Sequence, residues 1–99
     1  EYPAPVWWNI NQSATLQRKS ARTEKDEKHI CPLQLPVIER CVELWSKEHE
    51  IVLDPFDGIG STGYQALTMG RRHVGIELKE SYFKQAALNL EAAEREAQA

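Results

Sequence analysis

The sequence predicts an α/β fold in which short strands pair in parallel. Its second half alternates short apolar runs with amphipathic stretches, and a glycine-rich segment at residues 58–63 separates the first apolar run from the helix after it. This order is strand, glycine loop, helix, strand, helix, and it requires a right-handed crossover between parallel strands. With 99 residues the chain is one domain or part of one. Because two strands cannot form a doubly covered sheet, we expect the rest of the sheet to come from further chain or from a second copy.

The first half of the chain predicts an arm followed by a helix. Residues 1–28 show no sustained hydrophobic period and predict an extended arm and a charged loop. Residues 33–47 carry apolar side chains at helical spacing and predict an amphipathic helix, with Pro36 in its first turn. We expect Cys41 and Trp45 to lie on the core face of this helix.

The glycine-rich segment is expected to join a buried strand to a short helix. Residues 51–53 form a continuous apolar run of the kind found in parallel strands. Residues 62–69 predict the helix, with Ser61 or Thr62 as its N-cap.

A second strand and a second amphipathic helix complete the predicted order. Residues 72–78 predict the strand and residues 81–95 the helix. The apolar face expected on this last helix comprises Phe83, Ala86, Ala87, Leu90 and Ala93.

Composition narrows the class of protein. The formal net charge of −3 gives no general surplus for binding polyanions, and no apolar run approaches the roughly twenty residues of a membrane helix. The two cysteines and three histidines match no metal-ligand spacing, so no metal site is expected. Without a leader pattern, we expect a cytoplasmic protein with no membrane contact. The chain begins at Glu1 rather than methionine, so we expect it to be trimmed or part of a longer protein.

The glycine-rich segment has the context of a nucleotide-binding loop. Gly58, Gly60 and Gly63 satisfy G-x-G-x-x-G between a predicted strand and a predicted helix, and Glu77 ends the next strand seventeen residues after Gly60. A carboxylate at that place typically accepts ribose hydroxyls. The alternative is that the glycines only make a tight turn and that Glu77 is a solvated strand end.

Acidic residues beside the loop indicate which nucleotide it accepts. A dinucleotide would place a pyrophosphate near Asp54 and Asp57, and each close like-charge pair costs on the order of a few kcal/mol. S-adenosyl-L-methionine has no phosphate and carries a cationic sulfonium and amino group. The charges therefore favour S-adenosyl-L-methionine over a dinucleotide.

Three segments in order resemble the amino-methyltransferases that act on adenine N6 or cytosine N4 of DNA. Residues 52–63 resemble the family's D-P-F-x-G-x-G-(S/T)-(T/S) cofactor loop, and residues 75–78 resemble its ribose-binding motif. Residues 31–36 resemble its H-P-x-Q-K-P segment, although Cys31 and Leu35 stand where the family often has His and Lys. The order matches the permuted β-type arrangement, and residues 29–40 look like methyltransferases of phages and prophages.

The resemblance implies a partial Rossmann-like S-adenosyl-L-methionine-dependent methyltransferase fold, preceded by the arm and the amphipathic helix. It divides the chain into residues 1–28 as arm and residues 29–99 as the cofactor-binding part. It further implies these cofactor-binding residues: Cys31, Pro32, Gln34, Asp54, Phe56, Asp57, Gly58, Gly60, Ser61, Thr62, Glu77 and Leu78.

The family's catalytic D-P-P-Y motif does not occur in these residues. We therefore expect a C-terminal cofactor-binding fragment of a bacterial or phage-encoded DNA methyltransferase, inactive without an upstream catalytic half. A role in restriction-modification is consistent with this family. The alternatives are a fragment of a dinucleotide-binding oxidoreductase and a non-catalytic remnant that dimerises through exposed strand edges.

Two groups in the arm have both a structural and a DNA-binding interpretation. Trp7 and Trp8 could stack on bases, but we expect at least one to pack as an anchor for the arm. Arg18, Lys19 and Arg22 are candidates for DNA phosphate contact, although the acidic residues that follow them are typical of a solvated charged loop.

Overall fold

The computed structural model describes residues 4–16 and 32–98, and within them it has the predicted alternation of helices and strands. The elements are α1 (Leu35–Trp45), β1 (Ile51–Asp54), α2 (Ser61–Thr68), β2 (Arg72–Gly75) and α3 (Glu80–Gln98). The two strands are parallel, with Ile51 opposite Arg72 and Asp54 opposite Gly75. The α/β class, the element order and the parallel pairing predicted from the sequence are therefore confirmed.

Helix α1 is shorter than the predicted span of residues 33–47. Pro36 lies in the first turn, as expected. At the other end, the backbone N–H and the hydroxyl of Ser46 both donate to the carbonyl oxygen of Val42, at 3.1 and 2.6 Å. Ser46 itself has extended backbone angles, so the helix ends at Trp45.

The N-cap of α2 is Gly60, so the prediction that Ser61 or Thr62 caps this helix is wrong. Ser61 is the first helical residue, and Gly60 has φ of 87°. The turn before the helix requires a left-handed backbone at its last residue, where glycine carries no steric penalty. Packing against α3 also favours glycine here, because a Cβ on Gly60 would lie only 3.2 Å from the Cβ of Ala86.

Strand β2 ends at Gly75, three residues before the predicted end at Leu78. Its partner β1 turns away into the glycine loop after Asp54, so the residue that follows β2, Ile76, pairs with that loop. Ile76 donates its N–H to the carbonyl of Asp54 at 3.0 Å and accepts the N–H of Asp57 at 2.9 Å. In place of the predicted continuation of β2, the backbone of Ile76 therefore holds the glycine loop.

Helix α2 lies at the centre of the packing and contacts both strands and both other helices. The core beneath the loop contains Ile59 and Leu16, with Leu35, Tyr64 and Tyr82 packed against them. Leu16 comes from the arm, and the arm is also tied to α1 because Leu35 donates its N–H to the carbonyl of Ala14 at 2.8 Å.

The predicted core face of α1 is only partly correct. Ile38 and Val42 are buried, but Cys41 is exposed and Trp45 is 76% exposed, so the prediction that these two belong to the core is wrong. Arg40 is buried instead, and its guanidinium lies 5.4 Å from the ring centre of Trp7.

The arm is anchored by Trp7, as expected for one of its two tryptophans. Trp7 is half-buried against α1, whereas Trp8 is 89% exposed.

On α3, the buried residues are Ala86, Asn89 and Ala93. Phe83 and Ala87 are exposed, contrary to the predicted face. The face shifts because α3 packs chiefly against α2 and the glycine loop, where small side chains and an amide fit closely.

One face of the two-stranded sheet is open in the described part of the chain. Ile51 and Leu53 of β1 and Val74 of β2 are about half exposed or more, at 55%, 59% and 49%. They share a face because they alternate with the residues that contact α2. Among the described residues, no helix is both long and apolar enough to cross a membrane.

Candidate functional site

A cavity of about 510 Å³ lies where β1 leads into the glycine loop. Its walls come from the segment before α1, the end of β1, the loop and the first turn of α2. The lining residues are Pro32, Leu33, Leu53, Asp54, Phe56, Asp57, Gly58, Ile59, Ser61 and Thr62. Crevices at the carboxyl ends of parallel strands are where ligands bind in open α/β sheets.

The loop is shaped by two tight turns. Asp54 accepts the N–H of Phe56 on its Oδ1 at 3.0 Å, which closes the first turn after the strand. The carbonyl of Asp57 accepts the N–H of Gly60 at 2.9 Å, which closes the second. Gly58 and Gly60 have φ of 58° and 87°, values that favour glycine.

Glu77 fastens the loop to the chain that follows β2. Its Oε1 accepts the N–H of Gly58 at 2.7 Å, and its Oε2 accepts the N–H of Lys79 at 2.9 Å. Each carboxylate oxygen has a second lone pair, so the group can still accept hydroxyl donors. Glu77 therefore lies beside the loop, two residues beyond the end of β2.

Asp57 makes the second side-chain contact beneath the loop, to His73 of β2. The Nε2 of His73 lies 3.2 Å from the Oδ1 of Asp57, and the side chains are 2% and 6% exposed. The other ring nitrogen, Nδ1, lies 3.1 Å from the carbonyl oxygen of Val52 in β1. The imidazole thus connects the sheet to the loop.

Two glycines make room for this buried pair. A Cβ on Gly75 would lie 2.4 Å from the Oδ2 of Asp57, and a Cβ on Gly63 would lie 2.4 Å from the Cδ2 of His73. Real Cβ atoms do not approach other atoms so closely, so any larger residue would displace the pair. Gly63 therefore serves close packing of helix and strand, as the third glycine of such a motif does.

Helix α3 holds the loop from the opposite side through Asn89. This side chain is 0% exposed, and its Nδ2 donates to the carbonyl of Ile59 at 2.7 Å. Its Oδ1 accepts from the Nε2 of Gln85 at 3.0 Å. A buried carbonyl in the loop is thereby satisfied by a helix thirty residues later in the sequence.

The structure brings most of the sequence-predicted cofactor residues to the cavity. Seven of them line it: Pro32, Asp54, Phe56, Asp57, Gly58, Ser61 and Thr62. Gly60 is buried at the start of α2, and Glu77 bonds the loop backbone.

Three other predicted residues are placed differently or fall outside the described chain. Gln34 donates its Nε2 to the carbonyl of Gln12 at 3.3 Å and so ties the arm rather than the cavity. Leu78 is 97% exposed. Cys31 lies outside the described residues, as do the DNA-contact candidates Arg18, Lys19 and Arg22.

Asp54 and Asp57, the two acidic residues that flank the turn, differ in their surroundings, so they do not count equally as negative charges at the cavity. The carboxylate of Asp57 contacts the buried imidazole of His73, so its charge is directed into that pair. Asp54 lines the cavity, and within residues 4–16 and 32–98 it forms no ion pair.

His73 and Asn89 are the site residues that sequence reasoning missed. Asn89 stands between Leu88 and Leu90 in a predicted helix, and His73 stands between Arg72 and Val74 in a predicted strand. A polar side chain at an inward position of such an element requires a buried partner, and this was the available signal. The identity of the partner depends on tertiary contacts.

Arg71 and Arg72 both donate to backbone carbonyl groups. Arg71 donates to the carbonyls of Met69 and Ser46 at 2.9 and 2.8 Å, which are groups at the ends of α2 and α1. Arg72 donates to the carbonyl of His49 at 2.9 Å. Cations at helix C-termini are favourable there. In the part of the chain that the structure describes, no three His, Cys, Asp or Glu side chains gather where they could hold a metal ion.

Comparison with known proteins assigns the family. A family model described as DNA methylase, covering adenine-N6 and cytosine-N4 enzymes by its name, matches residues 2–88. The chain belongs to this DNA methylase family. The match leaves the oxidoreductase alternative without support.

Individual relatives agree with this family. The chain is 37% identical over 92 residues to the type II methyltransferase M.ScaI of Streptomyces caespitosus, covering 91% of the chain and 29% of that protein. It is 43% identical over 63 residues to the type II methyltransferase M2.DpnII of Streptococcus pneumoniae, covering 62% of the chain and 24% of that protein. The chain thus spans less than a third of these methylases.

Solved structures of family members share the fold. The complex of M1.HpyAVI with S-adenosyl-L-methionine superposes with a TM-score of 0.60 at 35% identity, over 64% of this chain and 31% of that one. TTHA0409 of Thermus thermophilus, also complexed with S-adenosyl-L-methionine, gives a TM-score of 0.58 at 33% identity, over 82% of this chain and 37% of that one. The fold is that of S-adenosyl-L-methionine-dependent DNA methyltransferases.

Proposed function

We propose that this chain is the S-adenosyl-L-methionine-binding part of a DNA methyltransferase that modifies the amino group of adenine or cytosine. The observation that carries the proposal is the cavity at the end of β1, which is lined by the D-P-F-x-G-x-G-S-T loop of a DNA methylase family member. The cofactor-binding part would comprise residues 29–99, with residues 1–28 as the arm.

The cavity walls suit the parts of this cofactor. Asp54 supplies a carboxylate for a cationic amino or sulfonium group, and Glu77 retains acceptor capacity for ribose hydroxyls beside Gly58. Phe56 and Leu78 are 87% and 97% exposed, so both side chains are accessible to an adenine ring. Two related proteins were solved with this cofactor.

The chemistry requires more chain than these residues provide. When bound, S-adenosyl-L-methionine supplies an activated methyl group for the amino nitrogen of a base flipped out of the DNA stack. This chain would hold and orient the cofactor, and the catalytic D-P-P-Y motif would come from an upstream half of the same protein. The relatives support this division because the chain matches only 24–29% of their length.

The open face of the sheet is the surface that the upstream half would cover. Ile51, Leu53 and Val74 form an apolar face whose exposure is costly in water, at about 25 cal/mol for each Å². A homodimer through the same face is the alternative occupant. Sedimentation of the full-length protein distinguishes the two occupants of this face. A dimer that the substitution Leu53→Glu dissociates would favour the homodimer. A protein that stays monomeric at all concentrations would favour the upstream half.

Contact of the arm with DNA remains a prediction. Arg18, Lys19 and Arg22 would touch phosphates, and each such contact should steepen the salt dependence of DNA binding by about one unit of logarithmic slope. DNA as the substrate would also place the protein in the cytoplasm of a bacterium or of a phage-infected cell.

The proposal is tested by cofactor binding to the full-length protein. Titration calorimetry should detect S-adenosyl-L-methionine, and NADH should not compete with it. Phe56→Ala should weaken the affinity about tenfold, which is about 1.4 kcal/mol, because an exposed ring at the cavity would lose its contact with the ligand.

A matched control is Phe83→Ala, because Phe83 is also exposed but lies on α3 outside the cavity lining. Its affinity should stay within twofold of the wild type. Equal losses in the two variants, or binding of NADH in place of S-adenosyl-L-methionine, would contradict the proposal.

A further inference from the structure

The imidazole of His73 is held between two oxygen atoms on different elements. Nδ1 lies 3.1 Å from the carbonyl oxygen of Val52, and Nε2 lies 3.2 Å from the Oδ1 of Asp57. A carbonyl and a carboxylate oxygen only accept hydrogen bonds, so both contacts are made in full when both ring nitrogens carry protons. The ring therefore bridges the sheet and the loop through both of its nitrogens.

Asp57 is the residue through which this contact reaches the loop. Its N–H donates to the carbonyl of Ile76, and its carbonyl accepts the N–H of Gly60, both at 2.9 Å. Asp57 also belongs to the residues that line the cavity. A shift of Asp57 would consequently move the turns on both sides of Gly58.

We propose that His73 is a positioning residue for the cofactor loop, which it fixes by holding Asp57 against β1. This inference rests on the proposed function. The imidazole is absent from the cavity lining, whereas Asp57 belongs to it. His73 therefore acts on a ligand through Asp57 and not by direct contact.

The ring of His73 packs against helix α2 at Gly63. A Cβ on Gly63 would lie 2.4 Å from His73 Cδ2 and 2.5 Å from Cδ2 of Leu90, which belongs to α3. These neighbours are uncharged. The charged group that faces the ring is the carboxylate of Asp57, from the loop.

Two amide substitutions separate the contacts of the ring. The side-chain amide of His73→Gln reaches the position of Nε2 and can donate to Asp57. The shorter amide of His73→Asn reaches the position of Nδ1, donates to Val52 and leaves Asp57 without its partner. The test is titration calorimetry of the full-length protein and both variants with S-adenosyl-L-methionine, together with melting of each ligand-free protein.

We expect His73→Gln to bind within threefold of the wild type and His73→Asn to bind at least tenfold more weakly. Equal affinity of the Asn variant and the wild type, or an equal loss in both variants while they melt alike, would overturn the role of His73. If the wild type itself fails to bind S-adenosyl-L-methionine, the proposed function is what fails.

A third variant decides the matter even if His73→Asn does not fold. His73→Ala removes both contacts of the ring, so it should bind S-adenosyl-L-methionine at least tenfold more weakly than His73→Gln. Equal affinities of His73→Ala and His73→Gln would refute the positioning role.

Discussion

Replacing Asn89 by alanine should destabilise the protein by releasing the glycine loop from α3. Asn89 is completely buried and donates to the carbonyl of Ile59, a residue that is 2% exposed. Without the amide, this carbonyl is buried without a donor, which costs about 1–3 kcal/mol. The space left by the side chain adds a cost of the same sign. We therefore expect a loss of at least about 2 kcal/mol in the free energy of unfolding.

Urea unfolding of the full-length protein measures this loss through the shift in midpoint at constant slope. Gln85→Ala is the matched control, because it removes the second hydrogen bond of Asn89, at a part-buried position, and leaves the bond to Ile59 in place. That change leaves the Oδ1 of Asn89 without this donor and should cost about 1–3 kcal/mol, without the cavity that Asn89→Ala adds. If Asn89→Ala costs no more than Gln85→Ala, the bond to Ile59 does not hold the loop and the reasoning is refuted.

Two further predictions concern other parts of the fold. Gly75→Ala would place a Cβ 2.4 Å from Oδ2 of buried Asp57 and should reduce the free energy of unfolding by about 1–3 kcal/mol or more. A Cβ on Gly58 meets nothing within 4 Å, so Gly58→Ala should cost only about 1–2 kcal/mol, for its positive φ. Equal midpoints of urea unfolding for the two variants would contradict the steric argument. The pKa of Tyr64 is raised above 10.0, first because its hydroxyl donates to Glu96, with desolvation and the carboxylate charge adding to the effect. Because the folded pKa is the higher one, this stabilisation is present below pH 10 and is lost as pH rises through the folded value. Tyr64→Phe should therefore reduce the free energy of unfolding by less than about 1 kcal/mol at pH 7. In urea unfolding, the difference in stability between wild type and variant should shrink above pH 10. A difference that stays constant with pH would contradict this direction of the pKa change.

The sequence was sufficient for the order and type of elements because those depend on local periodicity. It failed at boundaries that depend on distant partners. Strand β2 ends at Gly75 because β1 turns away after Asp54, and α2 takes Gly60 as its N-cap because the loop requires a positive φ there. Neither requirement is visible in hydrophobic spacing.

The candidate site divides in the same way. The members of the loop were predictable because G-x-G-x-x-G between a strand and a helix is typical of a nucleotide-binding loop, and because residues 52–63 resemble the family's cofactor loop. His73 and Asn89 were not, because their function depends on the Asp57 carboxylate and the Ile59 carbonyl reaching them in the folded chain. Trp45 was assigned to the core by its helical spacing, yet it is 76% exposed, since periodicity gives the direction of a side chain but not what covers it.

The backbone donors of the loop replace the charge argument as the reason to disfavour a dinucleotide. A pyrophosphate is bound by free N–H groups at the start of a helix. Here the N–H of Phe56 donates to Asp54, that of Asp57 to Ile76, that of Gly58 to Glu77 and that of Gly60 to Asp57. These four donors precede α2, so a phosphate that contacts the loop rather than the first turn of α2 would have to break these internal bonds, with a net cost of about 0.5–1.5 kcal/mol for each. A sulfonium nucleoside makes no such demand, because it needs acceptors for its hydroxyls and a carboxylate for its cation, and the loop retains both.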